Sequence, residues 1–245
     1  MSTRQPSAHI DAPGAVPDSW RALYFVAGAA AIGFVALMLV ALALDFIAPP
    51  PESGGAATLE FIAENKSIYV AEQILWTLPN ILAVVVFAAL FVAIPRARNL
   101  ALLGTVIGGS SWALFLASPV TSRGSLVLVT LSDQYSTAAP AGRDAFSAAA
   151  EALIAQNTTP SLVGSLSAAG IVLVAAAMKR SSFPSYLTWL GVAAGAAGVV
   201  AEVLRFVAPG AYSVYGLLLW AWFLGTGVAL LRLGSRSHLI QSQRG

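Results

Sequence analysis

The chain has no cysteine, only two histidines in 245 residues, and a charged fraction of just 10%. Each scarcity closes off chemistry. Without cysteine there is no disulfide, no thiolate nucleophile, no thiolate-ligated haem and no cysteine-held iron–sulfur cluster. His9 and His238 both lie in polar terminal stretches. The membrane part therefore offers no imidazole for a metal, a haem or a Ser–His pair. The sequence carries no H-E-x-x-H, G-x-S-x-G or G-x-x-x-x-G-K-[ST] pattern, the signatures of zinc proteases, nucleophile elbows and phosphate loops. No metal and no cofactor are expected. The few basic residues are dispersed along the chain and form no contiguous patch for nucleic acid. No arginine-rich span reads as a voltage sensor.

What fills the chain instead is apolar. Hydrophobic residues make up 58% of it and the mean hydropathy is +0.78, whereas soluble domains carry about 45–50% apolar and about 25% charged residues. A hydrocarbon core about 30 Å thick needs about 20 apolar residues in a helix. Six stretches qualify: Leu23 to Ile47, Ile68 to Ile94, Leu100 to Ser118, Ser161 to Met178, Tyr186 to Val207, and Val214 to Leu233. The fold expected is all-α, a polytopic transmembrane bundle of six helices. Ala41-Leu42-Ala43 in the first stretch imitates a signal-peptide cleavage site, but the apolar run before it exceeds the 7–15 residues of a signal h-region, and it reads as a retained helix.

Orientation follows from the basic residues. Nine of the thirteen (Arg4, Arg21, Arg96, Arg98, Lys179, Arg180, Arg232, Arg236 and Arg244) fall at the N-terminus, in the second and fourth connections, or in the C-terminal tail. Of the acids, only Asp11 and Asp18 share that side. The positive-inside rule then places both termini in the cytoplasm. Leu126 to Leu131 is too short to span, and a seventh helix there would put Lys179, Arg180 and Arg232 outside, so Ser122 to Tyr135 reads as an interfacial or re-entrant helix. The expected organisation is a disordered cytoplasmic tail over 1–20, a membrane domain over 21–234, and a second cytoplasmic tail over 235–245. Richness in Ala, Val, Gly and Arg points to a high-GC bacterial source.

The outer connections, Pro49 to Ser67 and Val120 to Pro160, are the long ones. Leu59, Ile62 and Ala63 share one helical face there, and Phe146, Leu153 and Ile154 another. Both segments read as amphipathic helices over the outer end of the bundle. Gly104 and Gly108, and the row Gly191, Gly195 and Gly198, are small-residue faces that let helices approach closely in lipid.

Ionisable residues inside a membrane are costly and so mark function by default. Glu72 and Gln73 sit about one turn inside the second span, with Trp76 and Pro79 on the face of Glu72. Asn80 lies near mid-membrane beside that proline, which favours a bend. In the fifth span Glu202 and Arg205 stand at i and i+3, within pairing distance. Gln156 and Asn157 precede the fourth span, and Asp45 closes the first. Glu72, Gln73, Trp76, Asn80, Asn157, Glu202 and Arg205 are therefore the candidate ligand-binding residues, forming a polar pocket at the outer mouth. A plainer reading stands beside this one: Glu202 and Arg205 as an interfacial ion pair snorkelling to water, and Asn80 as a helix–helix hydrogen bond. Trp20, Tyr24, Tyr69, Tyr186, Trp189 and Tyr212, near span ends, read as an aromatic belt.

Several segments together resemble an uncharacterised bacterial membrane family, DUF4386. They are Ala71-Glu72-Gln73-Ile74-Leu75-Trp76 with Pro79-Asn80, Ala155-Gln156-Asn157-Thr158-Thr159-Pro160, Tyr186-Leu187-Thr188-Trp189-Leu190-Gly191, Glu202-Val203-Leu204-Arg205, and Tyr215-Gly216-Leu217-Leu218-Leu219-Trp220. The resemblance implies a six-helix inner-membrane protein and carries no assigned activity. Three functional readings follow from the residues. The first is a protein that binds a small amphiphilic or lipid-like ligand, or a membrane partner, at its outer face. The second is a membrane-embedded enzyme using Glu72 or Glu202 as a general acid on a hydrophobic substrate. The third is an accessory subunit of a larger membrane complex. Expected partners are membrane lipid, a small hydrophobic ligand or another membrane protein, and no nucleic acid.

Overall fold

Apolar runs become helices, and the prolines decide where those helices are interrupted. The computed structural model describes residues 18–51, 54–117, 120–121 and 124–242. Among the described residues the helices are α1 (Asp18–Ile47), α2 (Gly55–Thr77), α3 (Pro79–Ala93), α4 (Arg98–Ala117), α5 (Val127–Thr137), α6 (Pro140–Thr158), α7 (Leu162–Met178), α8 (Ser185–Val203) and α9 (Ala211–Ser242). Val120–Thr121 (β1) and Gly124–Ser125 (β2) form a two-residue antiparallel ladder. Six helical units are long and apolar enough to cross a membrane: Trp20–Ile47, Gly55–Ala93, Pro95–Ala117, Pro140–Met178, Ser185–Val203 and Ala211–Ser235.

Each spanning unit packs against the next in sequence, and α1 packs against α9. The six therefore close into a ring in chain order. Glycine makes the contacts close. A Cβ on Gly170 of α7 would run into the Gly108 backbone of α4, and one on Gly227 of α9 would lie 2.9 Å from the Gly28 carbonyl oxygen of α1. The Gly191, Gly195 and Gly198 row faces α7 and α9 of the same chain. Large exposed apolar side chains (Leu102, Leu103, Val106, Val200, Val203, Leu217) lie on the outside of the ring, as lipid contact requires and water would penalise. Inside, Phe34 stacks on Phe223 with centroids 4.1 Å apart and meets Trp112 edge-on, while Trp222 stands edge-on to Phe223. This aromatic cluster plugs the ring.

One end of the ring carries a cap. Asn65 leaves helical geometry inside α2 (φ −116°, ψ 25°), and its amide donates to the Phe61 carbonyl at 3.1 Å, so the first part of α2 turns away to pack on α5 and α6. A second small core results, built from Leu59, Ile62, Tyr69, Leu128, Tyr135 and Ala150. Tyr69 fastens the hairpin to α2: its hydroxyl donates to the Ser125 carbonyl (3.2 Å) and accepts from the Ser125 N–H (3.1 Å). Lys66 and Asp133 add an ion pair at 2.7 Å on the surface.

Several expectations need correction. The proline expected to bend the second span divides it into α2 and α3 at Leu78, because Pro79 has no N–H to continue the ladder and sits naturally at the first position of α3. The fifth span stops at Val203 rather than Val207: Leu204 turns out of helical geometry (φ −91°, ψ 9°) ahead of Ala208-Pro209-Gly210. Ala63 is exposed, and Tyr69 takes its place in the cap core through the Asn65 kink. The segment read as one helix from Ser122 to Tyr135 is a hairpin followed by α5, with Ser122 and Arg123 outside the described residues. The sixth span ends at Ser235, and helix α9 continues beyond it to Ser242. Of the N-terminal tail, residues 1–17 lie outside the described residues and α1 already begins at Asp18. Tyr24 and Tyr69 are buried and are not belt residues, whereas Trp20, Tyr186 and Trp189 are exposed.

Candidate functional site

At the cap end the ring is not filled. A cavity of about 490 Å³ opens above the aromatic plug, with walls from all six spanning units. Its polar corner is built where α8 ends. Glu202 lies in the last turn of α8, and Gly164 of α7 leaves room for its carboxylate, since a Cβ at that position would collide with it. Glu202 Oε2 accepts from the Ser161 N–H at 2.8 Å, at the N-cap of α7. Arg205 Nη1 lies 3.3 Å from Glu202 Oε2 and 3.4 Å from Oε1. The Tyr212 hydroxyl donates to Glu202 Oε1 and accepts from Arg205 Nη1 at 3.0 Å. Finally, Arg205 Nη2 donates to the Asn157 carbonyl at 2.7 Å.

The corner thus ties two connections together, the α6–α7 link and the α8–α9 turn. Glu202 is 3% exposed, so the pair is a buried one rather than two side chains reaching for water. Its hydrogen bonds are satisfied internally, the condition under which a buried pair is tolerated.

Five of the seven residues singled out from sequence line this cavity: Trp76, Asn80, Asn157, Glu202 and Arg205. Glu72 and Gln73 do not. Both are buried, but Glu72 stands behind Trp76, whose indole N–H donates to Glu72 Oε1 at 3.0 Å. Gln73 faces the cap hairpin instead, where its Nε2 neighbours Gly124. Asn80 spends one amide hydrogen locally on the Thr77 carbonyl (2.7 Å). Asn157 is 6% exposed, and its Oδ1 has no hydrogen-bond partner among the described residues.

Sequence reading missed Tyr212, Tyr215, Ser161, Gly164 and Trp112, all of which line the cavity. Tyr212, assigned to the aromatic belt, is instead a partner of the ion pair. A signal existed: Ala208-Pro209-Gly210 forces the chain to reverse, and a reversal there returns residue 212 over residue 205. The rest of the lining is largely apolar and includes Met38, Leu219 and the adjacent rings of Trp112 and Phe115. Among the described residues no group of three His, Cys, Asp or Glu side chains could hold a metal.

The chain's relationships rest on one match. The family model described as a domain of unknown function, DUF4386, matches residues 22–233. The chain belongs to the DUF4386 family. No curated protein and no solved structure matches it. The DUF4386 match begins in α1 and ends in α9, so it takes in the whole ring, the cap and every residue of the cavity.

Proposed function

We propose that this DUF4386 protein binds a small amphiphilic, lipid-like molecule in the cavity at the cap end, and that this end faces outward from a bacterial inner membrane. The observation that carries the reading is the mixed character of one open-mouthed cavity. A hydrogen-bonded polar corner at Glu202, Arg205 and Tyr212 shares about 490 Å³ with apolar lining from Met38, Trp112, Phe115 and Leu219. Pockets of this size, mostly apolar with a few converging polar groups, suit small ligands. The orientation rests on charge: Arg96, Arg98, Lys179, Arg180 and Arg232 lie at the end opposite the cap, and basic residues mark the cytoplasmic side. Both termini are then cytoplasmic.

Binding is favoured over catalysis because the Glu202 carboxylate is already engaged by the Ser161 N–H, Arg205 and Tyr212. Neither oxygen is left to deliver a proton to a substrate, as a general acid must. Native mass spectrometry of the gently purified protein, with lipidomics of what leaves it, tests the proposal. One compound class at near-unit stoichiometry, lost when Thr77→Trp fills the cavity, is the expected result. Bulk phospholipid alone, or a protein that copurifies in fixed ratio, would overturn it in favour of an accessory-subunit role.

A further inference from the structure

The chemistry of the cavity narrows what such a ligand is. Among the described residues Glu202 and Arg205 are the only charged side chains that line it, and each neutralises the other. Both carboxylate oxygens and both terminal guanidinium nitrogens are engaged as well: the oxygens meet three donors, and the guanidinium meets the carboxylate, the Tyr212 oxygen and the Asn157 carbonyl. An anionic head would have to draw Arg205 away from Glu202, and a cationic head would have to draw Glu202 away from Arg205. Either leaves a buried charge without its partner, which is strongly unfavourable.

What remains for a ligand is neutral. The Asn157 side chain lines the cavity with its Oδ1 unpartnered among the described residues. Trp112 also lines the cavity, with an indole N–H that has no acceptor among the described residues. The rim is mixed in character: Gln156 and Thr159 are exposed and polar, while Leu114, 51% exposed, belongs to the lipid-facing surface of α4. A rim of that kind admits a molecule with its tail in the bilayer and its head at the interface. The volume sets the size. At roughly 30 Å³ for each water-sized group, about 490 Å³ holds about 16 such groups, enough for one medium-length chain with a small head.

We propose that the cavity selects an uncharged single-chain amphiphile, with a hydroxyl or amide head at Asn157 and its tail against Trp112, Phe115 and Leu219. This rests on the binding function proposed above and specifies its ligand class. The test uses three probes of equal chain length on the purified full chain: 1-dodecanol, dodecanoate and dodecyltrimethylammonium. Each is titrated and the one-to-one adduct counted by native mass spectrometry, with Thr77→Trp and Val163→Trp as two independent cavity-filling variants. The expected result is a saturable adduct with dodecanol, at least tenfold tighter than either ion, that both folded variants abolish. If an ion binds as tightly as the alcohol or tighter, the uncharged class is overturned while amphiphile binding stands. If no probe gives a saturable adduct sensitive to either variant, both proposals fall.

Discussion

Arg205→Gln removes one side chain but loosens three elements at once, which makes it the sharpest test of how the cap end is held. The guanidinium contacts Glu202 at 3.3 and 3.4 Å, Tyr212 at 3.0 Å and the Asn157 carbonyl at 2.7 Å. Removing one partner of a buried pair costs about 3–5 kcal/mol, because the other charge stays behind without compensation. Here Glu202 keeps two donors, the Ser161 N–H and the Tyr212 hydroxyl, so the lower figure of about 3 kcal/mol applies. The Asn157 carbonyl loses its donor from Arg205 as well, adding about 1 kcal/mol. Glu202→Gln should cost about 3 kcal/mol by the same logic, since Arg205 is then the isolated charge. In the double variant no charge is stranded. Its cost should fall short of the sum of the singles by about 2–3 kcal/mol, the upper part of the range seen for residues in one network. Reversible unfolding by steric trapping in bicelles measures all four corners of the cycle. If Arg205→Gln costs under about 1 kcal/mol and the two changes add, the pair is solvated at the interface and the buried network argued above is wrong.

Three further outcomes follow from other parts of the molecule. Gly170→Val should destabilise by about 2 kcal/mol, because its Cβ meets Gly108 backbone rather than a movable side chain; melting in detergent should drop by about 4–8 °C, while Gly142→Ala and Gly216→Ala, with nothing near their Cβ, leave it unchanged. Tyr69→Phe strands the Ser125 N–H and carbonyl at about 1–3 kcal/mol. Hydrogen exchange over residues 124–137 should accelerate at least about tenfold, whereas Lys66→Ala, at an exposed pair, should change it little. The absence of native cysteine permits clean topology mapping: in cells, an impermeant maleimide should label Ala141→Cys on the cap and leave Ser182→Cys at the opposite end unlabelled until lysis. The reverse pattern would refute the orientation.

Much of the fold was legible because the bilayer imposes a simple rule on sequence. A span must be long, apolar and hydrogen-bonded within itself, so six spans announce themselves from Leu23 onward. Boundaries were less legible. Val203 ends α8 because of the turn that Pro209 and Gly210 require, not because polarity changes, and Val207 is as apolar as the residues before it. The amphipathic pattern around Leu59 and Ile62 was readable, yet the Asn65 kink re-aims the face and exchanges Ala63 for Tyr69. Asn65 carries no stronger mark in the sequence than any other loop asparagine.

Of the candidate site, sequence alone determined which residues would be expensive in a membrane: Glu72, Asn80, Glu202 and Arg205 are rare polar intrusions in apolar runs, and the i, i+3 spacing of the last two fixed their pairing. It could not determine which of these polar residues share a space. That depends on how six helices close into a ring, and the ring is set by backbone approach at Gly28 with Gly227 and Gly108 with Gly170, contacts between residues as far apart in the chain as its two ends. The same closure turns Trp76 toward the cavity and puts Glu72 behind it, although the two share a helical face. It also brings Tyr212 onto Glu202 and empties the Gly164 position for a carboxylate. Local sequence dictates helices and their cost in lipid; only long-range packing decides which side chains surround one volume.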